Sequence, residues 1–151
     1  ALAAEIDSED TDAAYAAGLL FEIGRLVLLE VLPNGYALAT RDEIGSDLHE
    51  IEERFYQFTY TEAGYYILRK FNLPGVITEA VRMHMDPKNS GELPNLLYLA
   101  TVMTKAYINN EPLHIRTDEE DAMHKIKIAS GILESVYQTA CATFQQKVQV
   151  G

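Results

Sequence analysis

The stretch that most constrains this chain runs from Ala16 to Leu29, an apolar run at helical spacing that ends near Pro33 and holds one carboxylate, Glu22, at its middle. A carboxylate enclosed by apolar neighbours must pair, coordinate a cation or take up a proton. Two readings of Glu22 follow. It turns to the helix rim or pairs with Arg25 or another base, or it marks a site. The wider apolar run, Ala13 to Leu32, also carries Arg25 and Glu30, which makes it a poor membrane span.

At 151 residues the chain has the size of one ordinary domain. Its 48% hydrophobic and 23% charged residues are the balance of a globular protein. Acidic residues outnumber basic ones 23 to 12, a formal charge of −11, so the surface field repels phosphate backbones and anionic membranes. No nucleic acid and no membrane are therefore expected as partners. Homo-oligomerisation stays open. The lone Cys141 cannot form an internal disulfide and fits a cytoplasmic protein, read as a small apolar residue. The first residue is Ala1, and the opening segment reads like the interior of something helical. The expectation is one helical domain over residues 1–151, cut from a longer multidomain chain.

Periodicity and punctuation predict helices throughout. The first spans Asp10 to Leu32, capped by Thr11 or Asp12, with Gly24 bending or splitting it. A weaker one covers Tyr36 to Ile44. Asp47 and Glu50 have capping-box spacing before a helix whose inward stripe is Leu48, Ile51, Phe55 and Phe58, with Glu50 and Arg54 paired outside. Thr59 and Glu62 repeat the box and open a helix through Phe71, followed by a very short turn at Asn72 and Leu73. Pro74 opens the next, whose inward stripe ends at His84. Pro94 to Ile108 follows, closed by Asn109, Asn110, Glu111 and Pro112. Thr117 with Glu120 is a third box, and Asp118 to Val148 reads as a helix interrupted at Gly131. No strand pattern has support, so the predicted fold is all-α, a single bundle of about six to eight helices.

Motifs that carry chemistry are scarce. No phosphate-binding loop, paired-cysteine pattern or His-Glu-x-x-His is present. His49, His84, His114 and His124 share no i,i+3 or i,i+4 spacing, which excludes a two-histidine site on one helical face, although ligands could converge from different helices. His84 reads first as a capping or core-edge histidine and only second as a ligand. The aromatics from Phe55 to Tyr66 read as core and rim, and Glu119, Glu120 and Asp121 as the acidic first turn of a helix.

Ala17 to Leu28, AGLLFEIGRLVL, resembles the "AGLLHDIGKLVL" segment of the HD superfamily, and specifically of its HDOD branch, the HD-related output domains of bacterial signalling proteins. Further segments agree in the same order. Thr59 to Gly64 is similar to "THAEVG", Phe71 to Val81 to "W-x-LP-x-x-I-x-x-AI", Arg82 to Pro87 to "x-x-HHxP", and Leu96 to Met103 to the helix bearing the family's last aspartate.

In catalytic members of the superfamily, histidines and aspartates from several helices hold divalent metal that activates water on phosphate esters. By this resemblance Phe21 replaces a histidine, Glu22 an aspartate, Tyr60 a histidine, Met85 the second histidine of a pair and Thr101 an aspartate, while His84 matches. Phenylalanine cannot bind metal, and methionine is a poor ligand for hard cations. The resemblance thus implies no catalytic residue, no metal and no cofactor. It implies a degenerate pocket of Phe21, Glu22, Tyr60, His84, Met85 and Thr101 in a non-catalytic regulatory module of bacterial signal transduction, one that binds protein partners or other domains of its own longer chain. The alternatives are an atypical metal-dependent phosphohydrolase using Glu22, His84 and Asp86, or a small-ligand sensor with Tyr60, Thr101 and His84 as polar contacts.

Overall fold

The computed structural model describes residues 11–32, 34–40 and 46–149. Its helices are α1 (Thr11–Leu20), α2 (Ile23–Val31), α3 (Asn34–Ala39), α4 (Ser46–Tyr56), α5 (Tyr60–Lys70), α6 (Gly75–Met83), α7 (Glu92–Ile108), α8 (Thr117–Lys125) and α9 (Ser130–Gln149), with no strand among the described residues. The all-α expectation is met. In space α2 lies on α5, α5 on α6, α6 on α7 and α7 on α8, while α1 spans α6 and α7. No described helix is long and apolar enough to cross a membrane.

The first predicted helix is two, and the break falls at Phe21 and Glu22, before Gly24. Ala13, Ala17, Gly24 and Leu28 are all buried and keep helical spacing across the break. The apolar pattern is therefore continuous where the backbone is not. Ala13 and Ala17 pack with Ile77, Ala80 and Leu97, whereas Leu28 packs with Tyr36, Leu48, Tyr60 and Ala63.

Gly24 has a different task from bending the chain. A Cβ there would lie 1.8 Å from the Tyr60 carbonyl oxygen and 2.4 Å from the Gly64 nitrogen, so α2 and α5 touch backbone to backbone. A Cβ on Gly64 would in turn stand 2.9 Å from Cγ1 of Val81, a fully buried residue of α6. Three helices meet at this point because two of them present no side chain.

Other expectations need correction. In α4 the inward residues are Leu48, Glu52 and Tyr56, and Phe55 is 68% exposed, because the helix is rotated by about one residue from the predicted stripe. Arg54 lies over the Phe55 ring, 5.5 Å from its centroid, and forms no ion pair with Glu50. The predicted end of the second helix at 41–45 and the Asp47 side chain fall outside the described residues.

Helix α8 is capped one residue earlier than predicted. The Arg116 N–H donates to Glu119 Oε2 at 2.9 Å, and Arg116, having no acceptor in its guanidinium, returns no bond to complete a box. The tail breaks at residues 126–129 and not at Gly131, which lies inside α9. There Ile128 N–H reaches the Met123 carbonyl and Lys127 N–H the His124 carbonyl, a Schellman ending with Lys127 left-handed at φ 55°. Asn72 and Asn110 close α5 and α7 in the same way at φ 58° and 54°. Cys141 is half-buried, lining an apolar groove between α7 and α9.

Gly24→Ala is expected to cost at least about 3 kcal/mol or to prevent folding, since backbone atoms of α5 cannot yield to a methyl group. Gly35→Ala, with nothing within 4 Å of its added Cβ, is expected to be neutral or stabilising by less than about 1 kcal/mol. Urea denaturation midpoints of the two variants check the contrast.

Candidate functional site

Helix α5 begins with a completed capping box. The Thr59 N–H donates to Glu62 Oε2 at 3.0 Å, and the Glu62 N–H donates to Thr59 Oγ1 at 3.4 Å. This fixes Tyr60 at the first helical position, with 1% of its surface exposed. Helix α6 ends at Met83, and His84, fully buried, forms its cap.

His84 Nδ1 lies 2.7 Å from the Val81 carbonyl, which can only accept, so Nδ1 carries the proton. Nε2 is then an acceptor, and the Tyr60 hydroxyl donates to it at 2.9 Å. Both imidazole nitrogens are committed. Phe21 closes one flank with its ring edge-on, centroids 5.5 Å apart, and the Tyr60 ring stands edge-on at 5.6 Å.

Burial sets the protonation states that this bond requires. It pushes His84 down to about 4, assisted by the nearby His49, while the bond to Val81 opposes the shift. Burial also raises the Tyr60 phenol far above its ordinary value, and the Glu22 and Glu52 carboxylates add to that. A neutral imidazole therefore faces a neutral phenol.

Of the residues singled out in the sequence, Phe21, Tyr60 and His84 form one cluster. Glu22 is half-buried beside it, at the start of α2, where its carbonyl accepts from the Arg25 N–H at 3.0 Å and its carboxylate makes no capping bond. Arg25, the partner considered for it, donates to the Thr40 carbonyl at 3.1 Å. Met85 packs against the cluster of Leu28, Tyr36, Leu48, Tyr60 and Ala63. Thr101, buried on α7, returns its hydroxyl to the Leu97 carbonyl at 3.1 Å. Met85 and Thr101 also line a separate cavity of about 120 Å³ with Tyr98, Lys105, Arg116 and Glu119.

These donors do not fit a divalent metal. Ligation by His84 would need the Nε2 lone pair, which the Tyr60 hydroxyl occupies, and Phe21 fills the adjoining position with carbon. Among the described residues no three His, Cys, Asp or Glu side chains are grouped so as to hold a metal ion.

Sequence reasoning missed Glu52. It is fully buried on α4, accepts from the Tyr36 hydroxyl through Oε1 and takes the Tyr60 N–H at 2.7 Å through Oε2. Burial raises its pKa, opposed by those two bonds and by the charge of Arg25. The signal was its spacing, four residues after Leu48 and so on the same face. Glu52 thereby holds the amide of the residue whose hydroxyl holds His84.

The fold and the centre together define an all-helical domain built around one internal histidine that is locked between aromatic side chains. The sequence profile of the HDOD domain matches residues 1–87, more than half of the chain, and the chain belongs to the HDOD family. No curated protein and no solved structure gives a match.

Two outcomes test this centre. Tyr60→Phe leaves the His84 Nε2 lone pair buried without a donor and is expected to cost about 1–3 kcal/mol, read from the urea midpoint. The folded pKa of His84, about 4, lies below its ordinary 6.5, so below pH 6.5 the unfolded chain binds the proton that the native state refuses. Stability is complete above that window and falls as the pH drops through it, by about 2 kcal/mol between pH 7 and pH 5. His49, also lowered by burial, adds the same sign, and Glu52, raised, opposes it just above its ordinary value. Chemical denaturation at both pH values checks the drop, which His84→Gln is expected to reduce.

Proposed function

We propose that this HDOD chain is a non-catalytic regulatory and protein-interaction module of bacterial signal transduction. The observation that carries the reading is the commitment of both His84 nitrogens, one to the Val81 carbonyl and one to the Tyr60 hydroxyl, with Phe21 against the ring. A hydrolase of the HD type needs lone pairs directed at metal, and here the one matching histidine spends its lone pair inside the fold.

The alternative hydrolase would draw on Glu22, His84 and Asp86. Asp86 instead holds Asn89, accepting from its Nδ2 at 3.0 Å, in the loop after α6. A small-ligand sensor using the vacated metal pocket would need a cavity there. The one that Met85 and Thr101 line, at about 120 Å³, is smaller than the roughly 300–1,000 Å³ usual for drug-sized ligands, and Tyr60 and His84 are not among its walls. Contact with other proteins is the reading that asks nothing of this centre except rigidity.

Protein purified from medium supplemented with manganese, iron and zinc is expected to hold well under one metal ion per chain by elemental analysis, and to leave nucleotide and cyclic dinucleotide phosphoesters intact. A stoichiometric metal, or hydrolysis abolished by Glu22→Gln and His84→Ala, overturns the proposal.

A further inference from the structure

The solvent face of α5 and α6 carries a cluster that the buried centre does not use. Tyr65, Arg69, Tyr66 and Lys70 follow one another along the outer face of α5, and Arg82 of α6 lies beside them. Two guanidiniums converge on one ring: Arg69 stands 5.6 Å and Arg82 5.0 Å from the Tyr65 centroid. Arg69 also donates to the Tyr65 hydroxyl at 2.9 Å. Tyr66 packs edge-on against Tyr65 at 5.4 Å and stacks on Phe58 at 6.2 Å, yet 62% of it is exposed, and Phe71 at the end of α5 is 70% exposed.

Three cations gathered on one face of a chain with a formal charge of −11 is a concentration against the trend of the whole molecule. Like charges placed together repel unless something opposite answers them. Glu79 approaches Arg82 to 3.9 Å and its charge also reaches Arg69, so one carboxylate is shared between two guanidiniums. The favourable end of the α5 dipole accounts for Arg69 and Lys70 in part, but not for Arg82 coming from another helix or for the exposed aromatic rings between them.

We propose that this face, centred on Tyr65 and Tyr66 and ringed by Arg69, Lys70 and Arg82, docks an acidic segment of a partner protein, one in which Asp or Glu alternates with apolar side chains. The carboxylates meet the guanidiniums and Lys70, and the apolar side chains cover Tyr66 and Phe71, since Arg and aromatic residues together form the usual centre of a protein interface. Charge complementarity selects the occupant: a basic segment would be repelled by the cations here and drawn to the acidic remainder of the surface. The inference rests on the interaction reading given above and names the kind of partner.

The probe is a short fluorescein-labelled peptide repeating Glu-Glu-Leu, followed by anisotropy. Binding is expected to be saturable and to weaken at least about tenfold between about 20 mM and about 200 mM salt as the contacts are screened. Arg69→Glu, Lys70→Glu and Arg82→Glu together are expected to weaken it at least about tenfold with the thermal midpoint little changed. Should that triple variant fail to fold, Lys70→Glu alone, at a side chain in no ring contact, is expected to weaken binding about threefold. The proposal is overturned by absent binding, by equal binding to the charge-reversed chain, by oligothymidylate binding as tightly as the peptide, or by sedimentation showing a second copy of this chain on the same residues. Metal content and phosphoester hydrolysis measured on the same preparation separate the failures: an inert protein that ignores the peptide sinks this surface alone, whereas turnover sinks the interaction reading beneath it.

Discussion

The close passage of Gly24 over the Tyr60 carbonyl and the Gly64 nitrogen is the contact on which the other arrangements depend. It brings α2 and α5 nearer than side chains would permit. It therefore sets where Tyr60 stands, and Tyr60 at that place meets both Glu52 through its amide and His84 through its hydroxyl. Gly64, one turn further along α5, admits Val81 of α6, whose carbonyl fixes the tautomer of His84. The backbone contact thus places Tyr60 beside an imidazole whose tautomer is set by the carbonyl one turn back at the end of its own helix.

The interior built on that contact is polar but neutral at its centre. His84, Tyr60, Thr59, Thr61 and Thr101 are buried, and each has a hydrogen-bond partner. Such a network is favourable only when complete, because a buried group left without its partner costs about 1–3 kcal/mol. Glu52 is the exception in kind. It brings a carboxylate into the core and is stabilised there by Tyr36, by the Tyr60 amide and by the positive field of Arg25, which itself is tied to the Thr40 carbonyl. That chain of contacts runs from α2 through α4 to the start of α5 and stiffens the end of the bundle where α5 and α6 meet.

How legible this was in the sequence depended on whether a residue announces its own conformation. Thr59 with Glu62 did so, and so did Asn72 and Asn110, since asparagine tolerates the left-handed turn that ends a helix. Lys127 takes the same left-handed conformation with no such preference, so the end of α8 was invisible and the interruption was placed at Gly131, the nearest glycine. The break at Phe21 and Glu22 was hidden for another reason: the buried positions of α1 and α2 keep one helical phase, and what separates the two helices is that they pack on different neighbours. Glycine at position 24 was visible, but flexibility and close approach look alike until the facing backbone is known. The resemblance brought Phe21 and Tyr60 to notice as altered ligand positions and His84 as the matching one. That the phenol would turn onto the imidazole was beyond it, because the partner lies 24 residues away on another helix.

Phe21 and Tyr60 do not act independently. By the resemblance they stand at two separate ligand positions. In the structure they act on a single group, since both rings stand edge-on to His84 and one of them also supplies its hydrogen bond. A histidine at position 21 alone would leave Nε2 engaged by Tyr60. A histidine at position 60 alone would remove the phenol hydroxyl that satisfies His84 and still leave Phe21 across its flank. His84 is thus a structural member of the core, held by the Tyr60 hydroxyl and flanked by Phe21, and the two helices it joins, α5 and α6, are the ones that carry Tyr65, Arg69, Lys70 and Arg82 outward to solvent. A lock of this kind ties α5 to the end of α6 through one hydrogen bond. What it provides is a fixed angle between two helices, and a surface composed of side chains from both can be specific only if that angle is fixed.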